Sequence, residues 1–259
     1  MLSNYADDTT LFAASEEEMS VLLARLEQVS LELGLHINRA KTKVMIVDRS
    51  KSLAMSGTLN LDTVNEFVYL GSTITNNGSC EQDIRRRIGM AKSAMSQLNR
   101  VWADRNISRK TKRKLVTTLI FSILLDLDPQ KADRCRIDAF EMWCWRKMLG
   151  IHWTERRTNE SILAELQSPM RLTTICQRRF FDFFGHIARK RGDNLEKLLI
   201  TGKVDGKRPR GRSPIRWSDQ IRATLETTVC DAIHIAEDRT AWRNIVNQKV
   251  IRRGHDPQH

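Results

Sequence analysis

Tyr5-Ala6-Asp7-Asp8 is the first string in the chain whose residue types could do chemistry. Two adjacent acids are ordinarily a solvated turn. Here they stand between an aromatic residue and the apolar run Leu11-Phe12-Ala13. Acids set beside a strand are costly to bury unless a cation neutralises them. Hard divalent ions such as Mg²⁺ do this through carboxylate oxygens. Neighbouring side chains on a regular strand point to opposite faces. Both acids therefore serve one site only at a hairpin tip; otherwise one is a ligand and the other supports it.

The second group with chemical potential is cationic. Arg85-Arg86-Arg87 opens a helical stretch. Arg109, Lys110, Lys112, Arg113 and Lys114 put five cations in six residues at a helix start. The helix dipole disfavours that placement, and an external polyanion would offset it. Lys203, Lys207, Arg208, Arg210, Arg212 and Arg216 fall within one segment that Gly206, Pro209, Gly211 and Pro214 keep open. Each run is either a solvated face or a set of phosphate contacts. Contacts of that kind reach the nucleic-acid backbone, so they are salt-sensitive and weakly sequence-specific. Nuclear import is a competing use of the 203–216 residues.

Zinc chemistry fails on spacing. Cys135 and Cys144 are two and a half turns apart on one helix, on opposite faces. His186, beside Phe183 and Phe184, reads as a core or capping histidine. The tryptophans read as core residues, with Trp217 between Arg216 and Asp219 the one candidate for base stacking. No Ser/His/Asp set and no phosphate-cradling glycine loop is visible.

The elements that position these groups follow from pattern. Thr9 to Ala13 reads as a strand. Ser15-Glu16-Glu17-Glu18 is a capping box, in which Ser15 accepts from Glu18 and Glu18 reaches back. Met19, Leu22, Leu23, Leu26, Val29 and Leu33 then mark one helical face, and Gly34 ends it. Lys43–Val47 and Thr63–Leu70 read as strands, and Asn76-Asn77-Gly78 as a turn. Beyond residue 80 the pattern is helical. Ile84, Ile88, Ala91, Met95, Leu98 and Trp102 share a face. A second helix runs from Ser108 to Leu125 with Leu115, Leu119 and Ile123 inward. Ile137, Phe140, Cys144 and Met148 mark a third, Thr158 or Asn159 starts a short one, and Leu172 to Ile187 forms a fifth. Two more are expected around Ile215–Leu225 and Thr240–Lys249.

Three strings in this frame carry a family resemblance: Tyr5-Ala6-Asp7-Asp8, Gly34-Leu35-His36-Ile37-Asn38-Arg39-Ala40-Lys41-Thr42-Lys43, and Phe67-Val68-Tyr69-Leu70-Gly71-Ser72. In order and spacing they resemble successive elements of the reverse transcriptases of non-LTR (LINE-type) retrotransposons. The resemblance continues through Arg146-Lys147-Met148-Leu149-Gly150-Ile151, Arg156 to Ile162, Phe184-Gly185-His186-Ile187, and Gly202 to Lys207 with Arg216-Trp217-Ser218-Asp219. It implies that Asp7 is a metal ligand with Asp8 as its companion, and that the metal is Mg²⁺. It implies that Tyr5 lies near the primer end and the incoming dNTP, and that Lys41 faces the triphosphate. Tyr69, Leu70 and Gly71 would place the primer 3′ hydroxyl. The partners would be an RNA template and a DNA primer, or their hybrid.

The resemblance also exposes departures. Two-metal phosphoryl transfer needs carboxylates from two strands. In this family the second strand lies upstream of the Tyr5 string, and four residues precede Tyr5 here. The isolated chain is therefore expected to be inactive as a polymerase. Asp126-Leu127-Asp128-Pro129-Gln130 stands where the family carries an aromatic-bearing stretch.

Composition bounds the rest. The 259 residues include 43 Lys+Arg and 31 Asp+Glu, a net charge of +12. Residues 1–100 hold 11 basic and 12 acidic side chains, and residues 101–259 hold 32 and 19. The excess charge thus lies wholly beyond residue 100, as a polyanion-binding region requires. Five cysteines without CxxC spacing argue for a reducing compartment. The N-terminus carries no secretion signal, and Leu115–Leu125 is too short to cross a membrane.

The expected fold is α+β: a truncated palm of few antiparallel strands plus a helix over 1–78, thumb-like helices over 79–125, and a basic helical domain over 126–259. The expected function is a fragment of an RNA-directed DNA polymerase from a transposable element. The alternatives are a stand-alone, sequence-nonspecific nucleic-acid-binding protein and a non-functional remnant. The expected location is cytoplasmic or nuclear.

Overall fold

The computed structural model describes residues 2–5, 8–47, 60–125, 131–167, 170–190 and 217–251. The chain divides into two units, Met1–Ser79 and Cys80–His259. The first mixes strands with one helix and the second is helical, so an α+β description holds.

Unit 1 opens with strands β1 (Leu2–Tyr5) and β2 (Asp8–Leu11), paired antiparallel with Tyr5 opposite Asp8. Helix α1 (Glu16–Glu32) follows. Its Ser15 cap accepts from the Glu18 N–H at 3.2 Å, as its residue pattern dictates. The return arm differs by one position: Glu18 Oε2 accepts from Ala14 N–H at 2.7 Å. β3 (Lys43–Val44) pairs parallel with β4 (Asp62–Thr63). β5 (Glu66–Tyr69) and β6 (Ser72–Thr75) form a second antiparallel hairpin. The expected strand Thr63–Leu70 is thus split, and its second half turns back on itself at Leu70-Gly71.

No apolar side chain described in unit 1 is buried. Its one buried described residue is Thr75, at 7% exposure. Val21, Val29, Leu31 and Leu33 of the α1 region are exposed, as are Phe67, Val68 and Ile74 of the β5–β6 hairpin. The apolar face of α1 is at most half-buried, with Leu23 sharing a shallow seam with Ile37 and Leu61.

Unit 2 holds the cores. Helix α2 (Glu81–Gln97) breaks at Leu98 and resumes as α3 (Asn99–Ala103). α4 (Arg109–Leu115), capped by Ser108, runs on as a π turn over Val116–Ile120 and a 3₁₀ turn over Phe121–Leu124. α5 (Lys131–Leu149), α6 (Asn159–Leu166) and α7 (Leu172–Ala188) follow. The first core gathers Ile84, Ala91, Met95 and Trp102 with Val116, Ile120, Leu124, Ile137, Cys144 and Trp145. It draws on both sides of the 126–130 segment, which lies outside the described residues. The second core joins Phe180, Phe181 and Phe184 of α7 to α8 (Trp217–Leu225), α9 (Val229–Glu237) and α10 (Arg239–Val246).

Three sequence expectations are corrected. Leu119 is 51% exposed, and Val116, Ile120, Phe121 and Leu124 face inward instead. The π and 3₁₀ turns change the residues-per-turn count midway, so a stripe drawn at constant period drifts off the core. His186 is exposed on α7, and Phe183 is 52% exposed, because Phe180, Phe181, Phe184 and Ile187 already fill the inner face. The C-terminal stretch holds three helices instead of two, α9 being started by Thr228, whose hydroxyl accepts from Asp231 N–H. Among the described residues no helix is long and apolar enough to cross a membrane.

Candidate functional site

The β1–β2 hairpin sets Tyr5 and Asp8 across from one another at its closing pair. Ala6 and Asp7 join the strands and lie outside the described residues. This register puts the string at a hairpin; the side chain of Asp8 also lies outside the described residues. Among the described residues, no three or more His, Cys, Asp or Glu side chains gather as metal ligands.

Lys41 stands exposed on a turn built by Asn38. The Asn38 carbonyl accepts from the backbone of Lys41 and Thr42, and Asn38 Oδ1 accepts from Lys41 N–H at 3.1 Å. Thr42 Oγ1 donates to the same carbonyl. Arg39 pins the turn to α1 through Glu27 at 2.9 Å. An asparagine that saturates its own turn is what holds the lysine out on a short, ordered loop. Lys43 is not free in this way; its ammonium pairs with Asp62 at 2.5 Å, which holds that carboxyl below its ordinary range.

Tyr69 ends β5 opposite Ser72, and Leu70 and Gly71 make the two-residue connection. Both have positive φ, 47° and 79°, as a type I′ turn demands. Glycine takes that conformation freely. An exposed leucine does so at a cost of order 1 kcal/mol or more. The turn therefore presents an apolar side chain to solvent in a conformation it does not prefer.

The predicted cationic residues divide by role. Arg85 is exposed and pairs with Glu81 at 2.7 Å. Arg86 pairs with Asp83 at 2.9 Å, and Arg87 shares the same buried carboxylate at 2.8 Å while donating to the Ile123 carbonyl. Lys112 is 9% exposed, and its ammonium donates to the Trp102 carbonyl at 2.7 Å. Arg113 donates to the Leu166 and Gln167 carbonyls at the end of α6. These last two contacts set cations on the negative ends of helices, where the dipole favours them. Lys112 thus leaves the solvent-facing set, and Arg113 is half committed to packing. Lys203, Lys207, Arg208, Arg210, Arg212 and Arg216 lie outside the described residues, as does the Trp217 side chain.

Sequence reasoning passed over the Glu141–Arg171 pair. Glu141 is fully buried on α5 and accepts from Arg171 Nε at 2.8 Å and Trp145 Nε1 at 3.3 Å. It also accepts from the Leu172 N–H, at the start of α7. Burial pushes its carboxyl pKa up against the pull of Arg171. Arg171, the N-terminal flank of α7, brings no side-chain cap of its own, so Glu141 supplies one from a neighbouring helix. The only signal was a lone acid within Ala139-Phe140-Glu141-Met142-Trp143, which reads equally as a solvated position.

Residues 1–74 match the family Reverse transcriptase (RNA-dependent DNA polymerase). The chain is also 27% identical to a transposon-derived protein of Caenorhabditis elegans, with 95% of each chain covered. No solved structure matches.

Proposed function

We propose that this chain, whose residues 1–74 match the reverse transcriptase family, binds RNA and DNA through their backbones and that residues 1–259 alone do not extend a primer. The observation that carries the reading is the β1–β2 register. It closes the Tyr5-Ala6-Asp7-Asp8 string as a hairpin inside the segment that matches the polymerase family.

Asp7 and Asp8 would hold the Mg²⁺, which supplies charge neutralisation at the transferred phosphate and a more acidic primer hydroxyl. Lys41, held out by Asn38, presents its ammonium to a triphosphate. Tyr69, Leu70 and Gly71 form a blunt apolar tip suited to the sugar of a primer end. A carboxylate from a second strand is still required before both reacting oxygens can be bridged. Backbone binding rests on the cationic surplus beyond residue 100, to which the 203–216 cations contribute, with Arg85 adding an exposed cation before it.

Two assays on the full chain test this. A labelled RNA–DNA hybrid is titrated across salt, and primer extension is run with Mg²⁺ and all four dNTPs. The expected result is salt-steep binding without incorporation. Incorporation that vanishes in Asp7→Asn overturns the claim of inactivity. Absence of binding at about 50 mM salt overturns the binding claim.

A further inference from the structure

Two lysines from different helices converge on one indole. Lys92 of α2 and Lys147 of α5 place their Nζ atoms 5.8 Å and 5.0 Å from the centre of the Trp143 ring. Lys147 also donates to Ser96 Oγ at 2.9 Å, one turn beyond Lys92. No ion pair joins either ammonium to a described carboxylate. The buried Phe140 packs stacked against the Trp143 ring at 6.1 Å and fixes its plane. Gly89, one turn before Lys92, leaves open space where a side chain would stand.

This arrangement is electrostatically incomplete. Each ammonium gains from the ring face. The two charges repel one another and share no acid. Most cations elsewhere in unit 2 with described contacts are matched: Arg109 and Arg157 share Glu165, Arg136 has Glu81 and Asp133, and Arg171 has Glu141 and Asp138. A bound anion is what the Lys92–Lys147 pair lacks. An aromatic ring with two cations beside it offers both kinds of contact that a single strand presents, base and phosphate.

We propose that Trp143, Lys92 and Lys147 form a single-stranded nucleic-acid contact, with a base against the indole and the backbone phosphates at the ammoniums. This rests on the nucleic-acid-binding reading above and adds a place to it. Stacking accepts every base, and ammoniums address the backbone, so the contact carries no sequence preference.

The test uses the full chain and a fluorescein-labelled oligo(dT) of about 20 nucleotides, with affinity read by anisotropy across salt. For Lys92→Gln with Lys147→Gln, the slope of log affinity against log salt should become shallower by about one or more. Trp143→Leu should weaken binding about tenfold at every salt with the slope unchanged, and Trp143→Phe should retain most of it. Wild-type binding with the double lysine variant unchanged in slope overturns this contact and leaves the broader reading intact. Equal competition by poly-glutamate at matched charge also overturns it, since an acidic peptide would then serve as well. No wild-type binding overturns both.

Discussion

Trp242 occupies the space that a side chain on Gly185 would need. A Cβ there would stand 2.7 Å from Trp242 Cδ1, nearer than real Cβ contacts come. The indole N–H donates to the Phe181 carbonyl at 3.0 Å, one turn earlier on α7. Its ring also lies 5.3 Å from that of Phe184. Glycine here is what lets α10 close on α7. Gly185→Ala should therefore cost about 1–3 kcal/mol through overpacking, although alanine is the better helix former by about 1 kcal/mol. Urea unfolding of the full chain measures the balance; a gain in stability would mean that α10 shifts without loss.

Glu141 is the only fully buried carboxylate among the described residues. Removing it leaves Arg171 Nε, Trp145 Nε1 and the Leu172 N–H without their acceptor at once, and Arg171 keeps only Asp138. Glu141→Ala is expected to destabilise the chain by about 3–5 kcal/mol, the range for breaking one side of a buried pair. An effect below about 1 kcal/mol, the scale of exposed pairs, would show that water replaces the carboxylate.

Glu81 gives a pH signature. The hydrogen bond and charge of Arg136, with Arg85 adding to them, hold its carboxyl below the ordinary 4.5. A carboxyl depressed in the folded state stabilises above its unfolded pKa. That contribution is lost as pH falls through the folded value. Glu81→Gln should thus lower the melting temperature at neutral pH. The deficit should shrink as pH falls below the ordinary 4.5 and close once pH has passed the depressed folded value. A deficit independent of pH would assign the effect to packing.

Lys112 separates structural from binding cations. Lys112→Met removes the donor to the buried Trp102 carbonyl and should cost about 1–3 kcal/mol. The salt dependence of oligonucleotide binding should not change. A shallower slope with intact stability would return Lys112 to the interface.

What the sequence made legible was periodic or capped. Ile84, Ala91, Met95 and Trp102 are buried as their spacing dictates. Ser15, Ser108 and Thr158 accept from the residue three positions on, as N-caps do. What stayed hidden depended on partners far away in the chain or on backbone that changes pitch. Leu119 turned outward because the helix carrying it changes to a π turn at Val116. Leu70 sits at a positive φ that residue type argues against, so the second hairpin followed from the family resemblance and not from the residue pattern. Lys112 and Arg113 looked like a solvated or phosphate-facing run until the carbonyl ends they close came into view. At the candidate site, the hairpin pairing of Tyr5 and Asp8 could be anticipated. The Trp143 cluster could not, since its lysines are 55 residues apart in the chain.

The contrast in burial between the two units bears on the survival of the chain inside a cell. Proteases act on backbone that opens, and opening is cheapest where little apolar surface must be exposed. Thr75 aside, the described part of unit 1 has nothing buried to protect it, whereas unit 2 encloses two apolar cores. Cleavage should therefore begin before Ser79 and spare the helices from Cys80 onward. The carboxylate hairpin would then have the shorter half-life, and the species that accumulates would be the basic helical remainder, stripped of every residue assigned to polymerisation.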